Sequence, residues 1–165
     1  MKDELQTLPP RASTDFVDQP HAFDPVAQRR LFQGVVGKRL IAFIIDAIII
    51  GILTLVAFLV VFVLGIVTLG LGWLLFGLVF PAVGLGYNAI TIGGSKSATI
   101  GQRIMGLTVP MWFGGKVTPL IAAFHALLFW VSLTIFAPIL LWCFFDARKR
   151  QLHDILAGVV VINRP

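Results

Sequence analysis

The fold is decided by residues 38–64, which read KRLIAFIIDAIIIGILTLVAFLVVFVL. After its two leading bases, this stretch holds a single charged side chain, Asp46. A helix of about 20 apolar residues crosses the ~30 Å hydrocarbon core of a bilayer, so the run is long enough to span it with some tilt. The stretch therefore predicts a transmembrane helix over about residues 39–64, with a carboxylate inside it.

A second hydrophobic segment follows a glycine-rich break. Residues 65–72, GIVTLGLG, carry no charge and predict a tight turn. We expect a second helix over about residues 71–91, with Pro81 as a kink. Glycines recur at every seventh position: Gly70, Gly77 and Gly84. Because small residues on one face let another helix approach closely in lipid, this face is predicted to serve helix packing.

The third hydrophobic segment, residues 119–145, allows two topologies. It follows a polar loop, residues 91–118, that has bases and no acid, and it precedes Arg148-Lys149-Arg150. Basic segments tend to stay in the cytoplasm, so a single crossing would send the C-terminal bases outside against this tendency. The alternative is a bend near Ser132 to Pro138 and a return to the starting side. We favour one tilted span, because ~27 residues match a bilayer better than two half-length arms do.

The composition supports a membrane protein. The chain of 165 residues is 58% hydrophobic and 13% charged, whereas soluble domains average about 25% charged residues. Asp46 and Tyr87 are the only ionisable side chains between Leu40 and Thr91. The predicted fold class is all-α: a polytopic transmembrane helical protein, with a helical hairpin and a third membrane segment.

Residues 1–34 differ in composition, with five acids, four bases and four prolines. We expect a disordered aqueous tail, because such a segment buries too little apolar surface to fold. It lacks the basic start, apolar core and cleavage site of a signal peptide. The net charge of +5 comes largely from bases that flank hydrophobic segments. We therefore expect the lipid bilayer, and no nucleic acid, as the partner of these bases.

The loop of residues 91–118 contains a helix-start signal. Thr99 and Gln102 have the spacing of a capping box, in which each residue's side chain bonds the other's backbone N–H. A short helix is predicted from this point. Its apolar and basic residues would place it at the headgroup boundary.

Asp46 is the leading candidate for a functional residue. A charged carboxylate at a helix centre costs at least about 2.5–3.5 kcal/mol in a bilayer and usually serves a pathway or a partner. Arg39 precedes it by seven positions, which is about 20° short of two helical turns, so both lie on one face. They are too far apart to touch, and the candidate bridges are Asn88, His125 or a base from the loop or the C-terminal tail. Either a structural staple or a site for a proton or small cation fits this pattern.

Enzyme chemistry has little support. An intramembrane aspartyl protease needs two membrane carboxylates, and no G-x-S-x-G elbow is present for a serine nucleophile. His153-Asp154 is a doublet without further His or Asp ligands near it in sequence, so no metal site is predicted. Cys143 is the only cysteine and lies in an apolar run, where it is expected to be a small buried hydrophobe. No catalytic residue and no cofactor are implied.

Three motifs together resemble the RDD family of bacterial membrane proteins, named for one arginine and two aspartates. The resemblance runs from about residue 35 to residue 162 and assigns the three residues to Arg39, Asp46 and Asp154. Residues 97–109, SATIGQRIMGLTV, are similar to the family's loop signature, with its glycines at Gly101 and Gly106. Residues 146–154, DARKRQLHD, resemble a stretch near the family's end.

Two residues depart from the family pattern: Val159 stands where a threonine is expected, and His125 stands where many members have an arginine. The second departure bears on any charge pairing carried over to the third segment. Some members of the family are associated with sodium/proton antiport, so the resemblance favours the ion-site interpretation of Asp46.

The sequence thus predicts a multi-pass protein of a bacterial inner membrane, with an RDD-like domain over residues 35–162. We expect it to be transport-related, with a polar site for a proton or small cation formed by Asp46, Arg39, Asn88 and His125. One chain has too few helices to enclose a pathway, so a homo-oligomer or another membrane protein is the expected partner. The alternative is a non-transporting assembly or anchoring subunit, in which the polar residues only fix helix packing.

Overall fold

The computed structural model describes residues 23–136 and 142–164, and these are mostly helical, as predicted. The helices are α1 (Arg29–Phe32), α2 (Val35–Val67), α3 (Phe76–Ile92), α4 (Ile100–Ile104), α5 (Pro119–Phe136) and α6 (Leu152–Leu156). Two short antiparallel strands, β1 (Leu107–Thr108) and β2 (Ile162–Asn163), pair with Leu107 opposite Asn163. No strand was predicted, because two residues are too few for an alternating pattern to show.

Helices α2 and α3 form the predicted hairpin. At 33 residues, α2 is about 50 Å long. The turn closes on glycines: a Cβ on Gly72 would lie 2.7 Å from the backbone nitrogen of Gly65, and Gly70 has a left-handed φ of +100°. Thr68 Oγ1 accepts a hydrogen bond from the Gly72 N–H at 2.7 Å. A 3₁₀ turn, Leu71–Leu75, then leads into α3.

The surface of the hairpin is suited to lipid. Its two helical arms, Arg29–Val67 and Leu71–Ile92, are long and apolar enough to cross a membrane. Only 11% and 22% of their most apolar windows are buried in the protein. An apolar surface of this extent is stable only where water is excluded. The coarse prediction of a helical membrane protein is therefore supported, whereas α5 is a shorter apolar helix.

The predicted glycine face is divided by the structure. Gly70 lies in the turn and not on a helix, because α3 begins only at Phe76. A Cβ on Gly84 would lie 3.5 Å from Trp130 Nε1, so this glycine packs against α5 of the same chain. A Cβ on Gly77 would meet nothing within 4 Å. Of the three glycines, the structure thus places Gly84 against another helix of this chain and Gly70 in the turn, and a packing role for the whole face stays a prediction.

A polar cap, which we define as residues 93–118 and 142–164, closes the open end of the hairpin. Its core is formed by buried side chains from the cap together with the hairpin ends and α5: Val35, Ile92, Leu107, Val109, Val117, Ala122, Ala157, Val159 and Val161. Residues 29–34, which the sequence assigned to the disordered tail, belong to this assembly. Phe32 of α1 is buried against Val160 and Ile162. Phe23 also packs against this cluster, and residues 1–22 of the predicted tail lie outside the described residues.

The parts of the chain before and after the third hydrophobic segment both lie at the open end of the hairpin. Pro119 lies against Gly93, at the end of α3. Asn163 Nδ2 donates to the carbonyls of Arg30 and Gln33, both at 2.9 Å, and Asn163 Oδ1 accepts from Lys38 Nζ at 2.6 Å. One span over residues 119–145 would have separated these ends by the width of a membrane.

These contacts favour a return of the chain over the expected single tilted span, and the membrane topology of the segment stays a prediction. Segment length favoured a span, but the pairing of the C-terminal residues with α1, α2 and β1 favours a return. The return also keeps Arg148-Lys149-Arg150 at the end of the hairpin that holds the other basic loop. Of the predicted bend near Ser132 to Pro138, the part from residue 137 onward lies outside the described residues.

This arrangement predicts the labelling pattern of single cysteines in a Cys143→Ser background. Lys116 and Arg164 are exposed residues of the cap, and Leu69, at the hairpin turn, is 96% exposed. The single-cysteine variants are Lys116→Cys, Arg164→Cys and Leu69→Cys. We expect an impermeant maleimide to label residue 69 in intact cells, and residues 116 and 164 only after permeabilisation. Labelling of residue 164 together with residue 69 would contradict the return of the chain.

Candidate functional site: two buried carboxylates

Asp46 connects three elements through three hydrogen bonds. Its Oδ1 accepts from the Tyr87 hydroxyl at 2.6 Å and from the Gly101 N–H at 2.8 Å. Its Oδ2 accepts from the Thr99 hydroxyl at 2.6 Å. Tyr87 lies on α3, whereas Thr99 and Gly101 start α4. One buried side chain of α2 thus joins both arms of the hairpin to the cap.

The same network satisfies the first turn of α4. The predicted capping box is confirmed: the Gln102 N–H donates to Thr99 Oγ1 at 3.2 Å, and the Thr99 N–H donates to Gln102 Oε1 at 2.9 Å. The Ile100 N–H donates to the Tyr87 hydroxyl oxygen at 3.1 Å. These N–H groups have no partner inside the helix, so Asp46 and its neighbours supply the missing acceptors. A negative charge at a helix N-terminus is also favourable.

The two glycines of the loop signature have separate structural reasons. A Cβ on Gly101 would collide with the carbonyl oxygen of Ala42 and lie 2.8 Å from Asp46 Oδ2. Only a glycine therefore lets the start of α4 contact α2 so closely. Gly106 follows the last turn of α4 with a φ of +68°, a left-handed conformation that glycine adopts without strain.

The second carboxylate, Asp154, is fully buried at the start of α6. Its Oδ2 accepts from Arg39 Nη2 at 2.6 Å and from the Gln151 N–H at 2.8 Å. Its Oδ1 lies 2.7 Å from His125 Nε2 and 3.5 Å from His153 Nε2. Arg39 also donates to the Lys149 carbonyl and to Gln151 Oε1, both at 3.2 Å. The start of α2 is thereby tied to the C-terminal part of the cap.

The charges around Asp154 follow from its neighbours. Burial by itself would raise the pKa of Asp154, but the Arg39 guanidinium and the hydrogen bond from His125 hold that pKa far below its usual range. Burial lowers the pKa of His153 to about 3, and the negative charge of Asp154 opposes this shift only partly. The site therefore contains an ion pair, Arg39 with Asp154, beside a neutral His153 imidazole.

The four residues predicted to share one site are placed in three positions. Arg39 and His125 both bond to Asp154, Asp46 has other partners, and Asn88 Nδ2 donates to the Gly84 carbonyl of its own helix at 2.8 Å. The single site expected around Asp46 and Arg39 is thus two sites. Asp46 bonds to the start of α4, whereas Arg39 bonds to Asp154 of α6.

Sequence reasoning missed the partners of Asp46. Tyr87 was recognisable as the only other ionisable residue between Leu40 and Thr91, and it precedes the predicted Asn88 by one position, or about 100° of helix. Thr99 was predicted as a helix cap, and its hydroxyl has this second role as a donor to Asp46. The spacing of the capping box does not indicate that the Thr99 hydroxyl also donates to a residue as distant in sequence as Asp46.

A hairpin of two long, apolar, exposed helices, closed at one end by a polar cap, defines a helical membrane protein. The sequence profile of the RDD family matches residues 34–158, and the chain belongs to this family. Comparison with curated proteins and with solved structures found no match. For the residues that the resemblance assigned, the geometry pairs Arg39 with Asp154 and leaves Asp46 with uncharged donors.

The contact at Gly101 gives a second prediction. We expect Gly101→Ala to lower the free energy of unfolding by about 1–3 kcal/mol, the usual cost of inserting a methyl group into a packed site. The methyl would meet backbone that cannot move aside easily. Thermal unfolding in detergent measures the change. Gly86→Ala is the matched control, because a Cβ there meets nothing within 4 Å; equal stabilities of the two variants would contradict the close approach of α4 to α2.

The ion pair between Arg39 and Asp154 gives the third prediction. Asp154→Asn and Arg39→Gln each leave one buried charge unpaired, and we expect each to cost about 3–5 kcal/mol of stability. The double variant should cost clearly less than the sum of the two. As a control, Asp146→Asn removes the more accessible pair between Asp146 and Arg150, worth about 1 kcal/mol or less. Additive losses in the double variant would show that Arg39 and Asp154 do not interact.

Proposed function

We propose that this protein is transport-related and that Asp46 is the residue that takes up a proton or a small cation. One observation carries the proposal: within residues 23–136 and 142–164, Asp46 has no ion-pair partner, whereas Asp154 has Arg39. Each donor to Asp46 is a neutral group. A proton or a monovalent cation would supply the missing charge.

The energetics support reversible occupation. A hydrogen bond to a charged group contributes about 1.5–3 kcal/mol, so three of them offset much of the cost of placing the carboxylate in the membrane. They do not cancel its charge. The resulting site is stable when empty and still attracts a cation, which are the two properties that a transport site needs.

The hydrogen bonds indicate which oxygen would take the proton. The Gly101 N–H can only donate, so Oδ1 remains an acceptor. The Thr99 hydroxyl can turn and accept instead, because an O–H group has both roles. We therefore assign proton uptake to Oδ2, with Thr99 reversing its hydrogen bond. For a small cation, Asp46, the two hydroxyl oxygens and the nearby Ala42 carbonyl would provide oxygen ligands.

Orientation and assembly belong to the same proposal. Basic residues of the cap would place it in the cytoplasm and the hairpin turn outside, in a bacterial inner membrane. The basic residues are Lys96, Arg103, Lys116, Arg148, Lys149, Arg150 and Arg164. Two long helices and α5 are too few to enclose a pathway, so a second copy or another membrane protein would complete it.

A rival function is favoured by a different observation. Both oxygens of Asp46 are already hydrogen-bonded, and the first N–H groups of α4 are satisfied by the same network. Such an arrangement suits a permanent latch between cap and hairpin in a non-transporting assembly or anchoring subunit. In that case Asp46 would be structural, and neither proton nor cation would enter the site.

Asp46→Asn separates the two functions and is the fourth prediction. The amide oxygen can keep the bonds from Tyr87 and Gly101, and the amide nitrogen can donate to Thr99 after its hydroxyl turns. We expect stability in detergent to change by about 1 kcal/mol or less. Proton or sodium flux into sealed vesicles containing the purified protein should fall to the level of protein-free vesicles, because an amide neither titrates nor carries charge.

The control is Asp146→Asn, which makes the same chemical change at a carboxylate of the cap outside the Asp46 site and should keep full flux. Wild-type flux in the Asp46→Asn variant, or no flux above empty vesicles in the wild type, would overturn the transport proposal. Retained folding of all three proteins without flux would favour the latch.

A further inference from the structure

The cluster around Asp154 contains more ligand atoms than its ion pair uses. One ligand atom each from His125, His153 and Asp154 lie within 4.8 Å of one another, and all three residues are buried. His153-Asp154 was predicted to be a doublet without further ligands, and the structure corrects this, because α5 brings His125 to α6. Residues distant in sequence are joined here by the return of the chain.

His153 is the anomaly in this cluster. It is 1% exposed, yet its Nδ1 has no hydrogen-bond partner among the described residues. Its Nε2 lies 3.5 Å from Asp154 Oδ1, which is longer than an N–H···O hydrogen bond of 2.7–3.2 Å. A buried polar group without a partner costs about 1–3 kcal/mol. The imidazole is therefore held in a polar site that its own chain does not satisfy.

We propose that His125, His153 and Asp154 bind a divalent transition-metal ion of the Zn²⁺ class. Two imidazole nitrogens and one carboxylate oxygen form a donor set that suits such ions. Mg²⁺ and Ca²⁺ prefer oxygen ligands throughout. Three protein ligands would leave a fourth position of a tetrahedral site for water.

Two of the three ligand separations are close to those of a metal site, and the third, between the two imidazoles, is within 4.8 Å. Bonds of about 2.0–2.2 Å in a tetrahedral site place neighbouring ligand atoms roughly 3.3 Å apart. The separation of His153 Nε2 from Asp154 Oδ1 is 3.5 Å. The separation of His125 Nε2 from the same oxygen is 2.7 Å and must lengthen by about 0.6 Å, as expected when a metal ion replaces the proton between two groups.

The surroundings of Asp154 orient it as a ligand. Arg39 and the Gln151 N–H occupy Oδ2, so Oδ1 alone faces the imidazoles. Ligating carboxylates in metal sites are commonly held by such second hydrogen bonds. The charge of Arg39 repels the ion, and the site should consequently bind more weakly than one with two carboxylates.

The test uses the full-length protein in detergent, free of any affinity tag and stripped with a chelator. We expect one equivalent of Zn²⁺ to bind by calorimetry and to raise the melting temperature, and one equivalent of Co²⁺ to give the visible absorption of a tetrahedral site. His153→Leu should fold as well as the wild type, since it removes an unsatisfied buried group. It should weaken Zn²⁺ binding at least ~10-fold and abolish the rise in melting temperature.

His21→Gln is the matched control, because His21 is the remaining histidine of the chain; under the proposal, this variant should bind Zn²⁺ as the wild type does. The absence of Zn²⁺ binding to the stripped wild type would overturn the proposal. Binding of Zn²⁺ to the His153→Leu variant with wild-type affinity would also overturn it. The result does not depend on Asp46, so it stands or falls separately from ion transport.

Discussion

The ion pair between Arg39 and Asp154 determines where the last part of the chain lies. Arg39 is in the second turn of α2, and Asp154 follows the third hydrophobic segment, 115 positions later. A buried carboxylate that loses this partner would remain charged in an apolar site, so the two residues are strongly constrained to meet. Their contact holds α6 against α2, and β2 pairs with β1 a few residues further along the chain. The end of the chain is thereby tied to the start of α2.

A buried ion pair adds little net stability compared with well-packed apolar residues, and its value is positional. In this protein the positional role is clear, because a hydrophobic segment of ~27 residues would otherwise be free to span. The ion pair favours a return of the chain, whereas segment length alone favours a span. Asp46 has a different environment: its donors are uncharged, and its contacts join α4 to the hairpin without neutralising it. Two aspartates of one family motif thus have opposite electrostatic situations.

The local features of the fold were predictable from the sequence. The hairpin, its glycine-rich turn and the capping box of α4 follow from hydrophobic length, from glycine and from the Thr99–Gln102 spacing. The partners of the polar residues were not predictable, because Tyr87, Thr99 and Asp154 are 41, 53 and 115 positions from the residues they contact. The return of the third segment was not predictable for the same reason. The contacts that favour it are long-range, whereas the expectation of a single span rested on segment length.

Arg39 and Asp46 lie on one rigid helix and hold the cap at two points, α6 through Asp154 and α4 through Thr99 and Gly101. Under the proposed function, a proton on Oδ2 would remove the negative charge that faces the N-terminus of α4. It would also reverse the bond from Thr99, while the ion pair to α6 stayed intact. The cap would then be loosened at one point and fixed at the other, so that α4 could move relative to α2 about the Arg39 contact. A carboxylate placed at this junction, and not in the middle of an isolated helix, can therefore couple occupation of the membrane site to the position of a cap element, since the same atoms perform both tasks.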